Sequence, residues 1–211
     1  SGSGVNLDIV DRVGEAPGIS PINVGNSQSY NMIPDDRHGY VPGYTPATVD
    51  NAASMEFDGT NDYIQTDFSI GSTSTFSVSM WVNTTSFTTS QILIDNRDAG
   101  TDGFNCYIDS NTIRFRINSG ADSSASTSTL STNTWFHLGL TYDGVNKKIY
   151  FNGILKNTAA ETSALDVTNT MRIGTVSWTT PSNFFNGKMD EVAIFDYVLS
   201  PKQIREDIFN A

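Results

Sequence analysis

The sequence predicts an all-β protein: a two-sheet antiparallel sandwich with an irregular N-terminal arm and a short C-terminal helix. Three observations carry that expectation. Hydrophobic residues alternate with polar ones at period two along successive short runs, and the runs stop at Asp-Gly, Asn-Gly or charged residues. The chain, at 211 residues, is long enough to bury one substantial core. Phe136-His137-Leu138-Gly139-Leu140-Thr141-Tyr142-Asp143-Gly144, leading into Ile149-Tyr150-Phe151-Asn152-Gly153, shows the alternation and the turn signals together.

Composition agrees and excludes several functions. Charged residues are only 17% of the chain, short of the Lys/Glu content of helical proteins, and Ser, Thr, Asn and Gly abound. A net charge of −11 argues against a nucleic-acid partner, because phosphate neutralisation needs a clustered Lys/Arg face. No apolar run approaches the length of a membrane span, so no membrane insertion is expected. The single cysteine, Cys106, permits no intrachain disulfide and alternates with Phe104 and Ile108, as a small buried hydrophobe would.

Taken in order, residues 1–50 read as an irregular arm or linker. They hold five of the seven prolines (Pro17, Pro21, Pro34, Pro42 and Pro46), and each removes a ladder donor, which leaves room for one edge strand near 5–10. Ser1-Gly2-Ser3-Gly4 reads as a linker without an initiating Met, so a piece of a longer protein is expected. The sandwich domain is expected over 51–211, with strands near 54–58, 62–67, 75–83, 91–95, 103–109, 112–118, 135–142, 147–152, 170–174 and 186–197. A hairpin turns around 109–111, and Asn152-Gly153 is a strong two-residue turn signal. Residues 119–134 are rich in Ser, Thr and Ala and read as a loop or a weak edge strand. Ser200-Pro201-Lys202-Gln203 supplies an N-cap, a first-position Pro and a capping-box Gln for a terminal helix.

Met55-Glu56-Phe57-Asp58-Gly59-Thr60-Asn61-Asp62-Tyr63-Ile64 and Phe76-Ser77-Val78-Ser79-Met80-Trp81-Val82 resemble the FDG-x-x-D-Y-V opening and the F-T-I-S-x-W-V strand of laminin-G-like domains of the concanavalin A-like lectin/glucanase superfamily. Thr134-Trp135-Phe136-His137 through Tyr142-Asp143-Gly144, then Arg172-Ile173-Gly174, Gly187 to Ile194 and Leu199-Ser200 follow in family order, over roughly 54–208. The resemblance implies a jelly-roll sandwich acting as a carbohydrate- or protein-binding module, often holding Ca²⁺. It also implies that the FDG turn and the D-E-V strand lie beside each other, so that Asp58, the Gly59 carbonyl, Asn61 and Asp190 form a structural calcium site. The alternative is that Asp58 and Asp190 cap turns. Asp95, Asp98 and Asp102 make a second acidic cluster, but Arg97 in their midst favours a solvated loop.

Strand parity suggests where a sugar would bind. Phe76, Val78, Met80 and Val82 share the core face of one strand and Phe136, Leu138, Leu140 and Tyr142 that of another. Trp81 and His137, with Trp135, then point away from the core, as do Tyr107, Arg114, Arg116 and Tyr150. Aromatic rings stack on apolar sugar faces while polar groups take the hydroxyls. Trp178, in an aromatic-rich loop, is a further ligand-binding candidate. The other possibility is that Trp81 and Trp135 pack under loops, and that Phe184 and Phe185 plug the sandwich end. Catalysis is not expected: the E-x-D-x-x-E strand pattern of the glucanase relatives is absent, and adjacent Asp190 and Glu191 should point to opposite faces of a strand. The expected function is therefore a non-catalytic glycan-binding or adhesion module at a cell or virion surface, with a glycan or host receptor as partner. The alternative is a structural subunit that binds other virion or surface proteins.

Overall fold

The computed structural model describes Leu7–Ile9 and residues 54–68, 70, 75–98, 102–165, 169–177 and 180–209. Within these, one sheet has seven strands. Its path runs β1 (Leu7–Ile9), β13 (Asn186–Phe195), β4 (Phe76–Thr84), β9 (Phe136–Tyr142), β10 (Asn146–Phe151) and β11 (Ile154–Ala160), while β2 (Met55–Asp58) pairs with the first half of β13. The six-stranded sheet runs β3 (Ile64–Gln65), β12 (Arg172–Ile173), β5 (Gln91–Asp95), β6 (Phe104–Asp109), β7 (Thr112–Ile117) and β8 (Ser123–Ser126). All pairings are antiparallel, and one helix, α1 (Pro201–Phe209), closes the chain.

The alternation expected from sequence sorts side chains as predicted. Phe76, Val78, Met80 and Val82 of β4 and Phe104, Cys106 and Ile108 of β6 are fully enclosed. Phe76 meets Phe104 and Phe115 of the other sheet and Tyr142 of its own, with ring centroids 4.7 to 6.0 Å away. Each such ring contributes roughly 1.5–3 kcal/mol by burial, so this cluster clamps the sheets together. Lys147 shares the core parity of β10 and crosses to the other layer. Its ammonium donates to the Ala121 carbonyl and pairs with the Glu161 carboxylate at 3.3 Å.

The turns are chemical as well as steric. Ser110 and Asn111 (φ 51° and 59°) join β6 to β7, and Asn152 and Gly153 (φ 48° and 72°) join β10 to β11. Two successive positive φ values match the twist of the flanking strands. At α1, the Gln203 N–H donates to Ser200 Oγ at 3.2 Å and the Ser200 N–H to Gln203 Oε1 at 3.0 Å, the reciprocal capping box expected from sequence.

One strand departs from the expectation. β8 is the weak edge strand that residues 119–134 were expected to offer, with only Ala125 and Ser123 turned inward, whereas β11 occupies a stretch for which no strand was expected. The arm expected over 1–50 lies outside the described residues except for Leu7–Ile9, which pairs with Val192 to Ile194 as an edge strand.

Candidate functional site

The β6–β7 hairpin builds a polar cluster on the outer face of the six-stranded sheet. Its register sets Tyr107 opposite Arg114 and Asn105 opposite Arg116, all turned away from the core by parity. The chain then folds back through Asn118 (φ 50°) and delivers Asp122 over the same face. Asp122 Oδ1 accepts from Arg116 Nε at 2.8 Å, and its Oδ2 accepts from Tyr107 Oη at 2.8 Å, Arg116 Nη2 at 3.1 Å and Arg114 Nη1 at 3.3 Å. Arg114 Nη2 also lies 3.2 Å from Asp109 Oδ2, and the Arg116 guanidinium sits 5.8 Å from the Tyr107 ring centroid. Side chains tied in this way hold one geometry at little further cost in rotamer entropy.

The electrostatics follow from the contacts. Burial alone would raise the Asp122 pKa, but hydrogen bonds from Arg116, Tyr107 and Arg114 outweigh it and hold the carboxyl below its ordinary value of 3.8. Burial, and then the bond to Asp122, push the Tyr107 phenol up to about 12, so it remains a donor. Arg114 and Arg116 are each about one-third exposed, at 31% and 33%. Two buried polar atoms on this face find no protein partner: Asn105 Oδ1, an acceptor, and Arg114 Nε, a donor.

Of the other residues predicted to bind ligand, Trp81, His137 and Tyr150 do not join this cluster. They stand on β4, β9 and β10, so they occupy the outer face of the opposite sheet. The ligand set expected from parity is therefore split, because parity separates core from surface but does not say which layer a strand joins. That second face is also covered. Tyr150 packs with Leu199, Ile204 and Phe195, and Ser77 Oγ donates to the Tyr197 carbonyl and accepts from the Leu199 N–H. A Cβ at Gly139 would meet Ile204 Cγ2 at 3.1 Å, so the glycine lets α1 lie close to the sheet. His137 is 2% exposed, bonds Ser79 Oγ through Nε2 at 2.7 Å and packs edge-on against Trp81 at 5.5 Å. Burial depresses its pKa from 6.5 to about 4. Trp178 lies outside the described residues.

The proposed calcium ligands do not converge either. Asp58 pairs across the ladder with Asn186, whereas Asp190 lies four positions further along β13, opposite Trp81. At 3.3 Å per residue that is about 13 Å, too far for one ion's shell of roughly 2.4 Å bonds. Asp58 Oδ1 instead accepts from the Thr60 and Asn61 N–H groups at 2.7 and 3.3 Å, and these backbone bonds, that of Thr60 foremost, lower its pKa. The Asp58 N–H in turn donates to Asp62 Oδ2 at 3.0 Å. No group of three or more His, Cys, Asp or Glu arranged to hold a metal occurs among the described residues. The second acidic cluster is not the solvated loop expected: Asp95 and Arg97 are buried and paired at 2.8 Å, with Ser177 bonded to Asp95, while Asp98 and Asp102 bridge through their backbones.

Asp190 and Glu191 correct a further expectation. The ladder to β4 shifts between Asp190 and Ala193, so β13 gains one residue there, and Glu191 takes φ 48°. Met189 and Val192 both remain in the core, and the two acids between them both fall outside it. Of the loop aromatics, Phe185 is a core residue set edge-on to Phe57 at 5.7 Å, and Phe184 lies 6.5 Å from Tyr63.

Sequence reasoning missed Asp122, Asn105 and Asp109. A usable signal existed for Asp122: an Arg-x-Arg pair half-buried on a sheet needs an anion, and the first acid after Arg116 is Asp122.

Comparison with known proteins places this geometry. No curated protein matches the chain in sequence. Among solved structures, the botulinum neurotoxin serotype D binding domain superposes with a TM-score of 0.60 at 18% identity, covering 74% of this chain and 42% of that one. A Bacteroides ovatus protein assigned a carbohydrate-binding role gives 0.61 at 21%, covering 72% and 46%. A botulinum neurotoxin type C structure, described with two ganglioside molecules in cell entry, gives 0.51 at 23%, covering 65% and 36%. The chain thus spans less than half the length of these structures, and at such identity the likeness speaks for the fold. The laminin-G family model described as concanavalin A-like lectin/glucanases superfamily matches residues 58–205. With its jelly-roll sandwich and its motifs in family order, the chain belongs to the laminin-G-like domains of the concanavalin A-like lectin/glucanase superfamily.

Proposed function

We propose that this chain is a non-catalytic carbohydrate-binding module, displayed at a cell or virion surface, and that it binds through the outer face of the six-stranded sheet. The observation that carries the reading is the Tyr107–Arg114–Arg116–Asp122 cluster: partly exposed, preorganised by its own hydrogen bonds, and mounted on a two-residue hairpin. It offers a ring beside an array of polar groups, the combination sugar recognition uses. The kinship in fold to toxin binding domains and to the Bacteroides ovatus protein supports the same class. The acids on this face do not suit glycoside hydrolysis. Asp122 is held ionised by three donors, not kept protonated as a general acid would be, and the Asp109 carboxylate is already engaged by Arg114. No described helix is long and apolar enough to cross a membrane.

The test is a glycan array probed with the wild-type chain and with Tyr107→Ala. The reading expects defined binders that weaken at least about tenfold in the variant, the usual cost of removing a central aromatic contact. An array with no binder contradicts it.

A specific observation also favours the structural alternative. Val145, Ile154 and Leu155 are 58%, 60% and 49% exposed, the latter two at the start of the edge strand β11. A protein partner adding at this edge would make the chain an assembly subunit. Light scattering of wild type and Ile154→Lys across concentration tests it, and a monomer at every concentration speaks against self-assembly there.

A further inference from the structure

We infer that the ligand of the six-stranded face is an uncharged saccharide presenting free hydroxyls, rather than a sialylated, uronic or sulfated glycan; this rests on the reading of that face as a sugar site. The first ground is charge balance. Arg114 and Arg116 look like an anion site in the sequence, but both guanidinium groups are already engaged by Asp122 and Asp109, two cations against two anions. Arg116 holds Asp122 in the paired geometry that a ligand carboxylate would need for itself, through Nε at 2.8 Å and Nη2 at 3.1 Å. An acidic sugar would have to displace Asp122 or lie against two carboxylates. It would also approach a chain of net charge −11.

The second ground is the chemistry of the unpartnered atoms. Asn105 is 2% exposed and stands opposite Arg116, on the parity of Tyr107, and its Oδ1 accepts no hydrogen bond in the protein. Arg114 Nε on the neighbouring row donates none. A buried acceptor needs a donor, which a carboxylate or sulfate cannot supply and a hydroxyl can. The same hydroxyl type accepts from Arg114 Nε, so one kind of ligand group answers both positions.

The experiment uses immobilised oligosaccharides in two sets. One is neutral (gluco-, manno-, galacto- and xylo-oligosaccharides) and the other acidic (sialyllactose, oligogalacturonate, hyaluronan and heparin fragments). Each is probed at low and high NaCl with wild type, Tyr107→Ala and Asn105→Leu. We expect binding to the neutral set that changes less than about twofold with salt, because no net charge is exchanged. Tyr107→Ala should abolish it, and Asn105→Leu should weaken it about tenfold with little change in melting temperature, since it removes an acceptor the protein itself leaves unused. Tight binding to the acidic set that collapses in high salt overturns this inference and leaves the sugar-site reading standing. Binding to neither set, or neutral binding untouched by Tyr107→Ala, overturns the sugar-site reading and this inference with it. The wild-type panel decides the ligand class whether or not Asn105→Leu folds well.

Discussion

On the seven-stranded sheet, the outward Tyr150 lies under the C-terminal segment and His137 is sealed in beside Trp81. On the six-stranded sheet, the equivalent positions carry Tyr107, Arg114 and Arg116 in a partly open network around Asp122. Both faces begin from the same period-two pattern with an aromatic residue in the outward register. What separates them is what the rest of the chain does next. The capping box at Ser200 starts a helix that delivers Ile204 onto Gly139. The turn at Asn118 delivers an acid, not an apolar residue, onto the arginines. An outward aromatic is therefore a packing residue when an apolar element is available to cover it, and a recognition residue when it is framed by satisfied polar groups.

The contrast can be broken from the covered side first. Ile204→Asp places a carboxylate in the small apolar cluster beneath α1 and should cost about 3 kcal/mol, measured by urea unfolding, while sugar binding by the folded protein is kept. A loss of binding with unchanged stability would mean that the covered face carries the site. Acid titration comes next. His137 binds its proton in the folded state only near pH 4 but at 6.5 when unfolded, so the unfolded chain takes up more protons between those values. Stability then falls as pH drops through that window, by up to about 3 kcal/mol, and His137→Gln should flatten the fall. Asp122 carries the same sign in a lower window: its folded pKa is also depressed, so its contribution persists down to its unfolded value of 3.8 and is lost below it. Unfolding curves that superpose for wild type and His137→Gln would refute the burial of the imidazole. The smallest effect concerns metal. Because Asp58 and Asp190 lie about 13 Å apart along the ladder, chelation with EDTA should move the melting temperature by less than about 1 °C, and a larger drop would show that bound cation stabilises the fold.

Much of this was legible in the sequence, and the failures share a cause. Alternation assigned the core faces of β4, β6, β7 and β9, because one buried face is a local property of a strand. β11 escaped, and β8 showed only as a loop or weak edge strand, because Ile154-Leu155-Lys156-Asn157 and Ser123-Ser124-Ala125-Ser126 bury little apolar surface, so burial leaves no period to read. The ligand set was split, and the metal set dispersed, because neither sheet membership nor register is local information. Tyr107 and Tyr150 look alike in sequence, yet they stand on opposite layers. Asp190 and Asp58 sit in adjacent strands, but four register positions separate them. The bulge at Glu191 was likewise invisible, since its positive φ is imposed by the ladder on either side and not by a glycine.

The central claim is that recognition belongs to the six-stranded face. Its most direct test is a pair of matched truncations, Tyr107→Ala and Trp81→Ala, titrated by calorimetry against one glycan bound by the wild-type chain. Tyr107→Ala should lose at least about tenfold in affinity while Trp81→Ala, on the opposite sheet, binds as the wild type does. Loss in Trp81→Ala with full binding by Tyr107→Ala would contradict it.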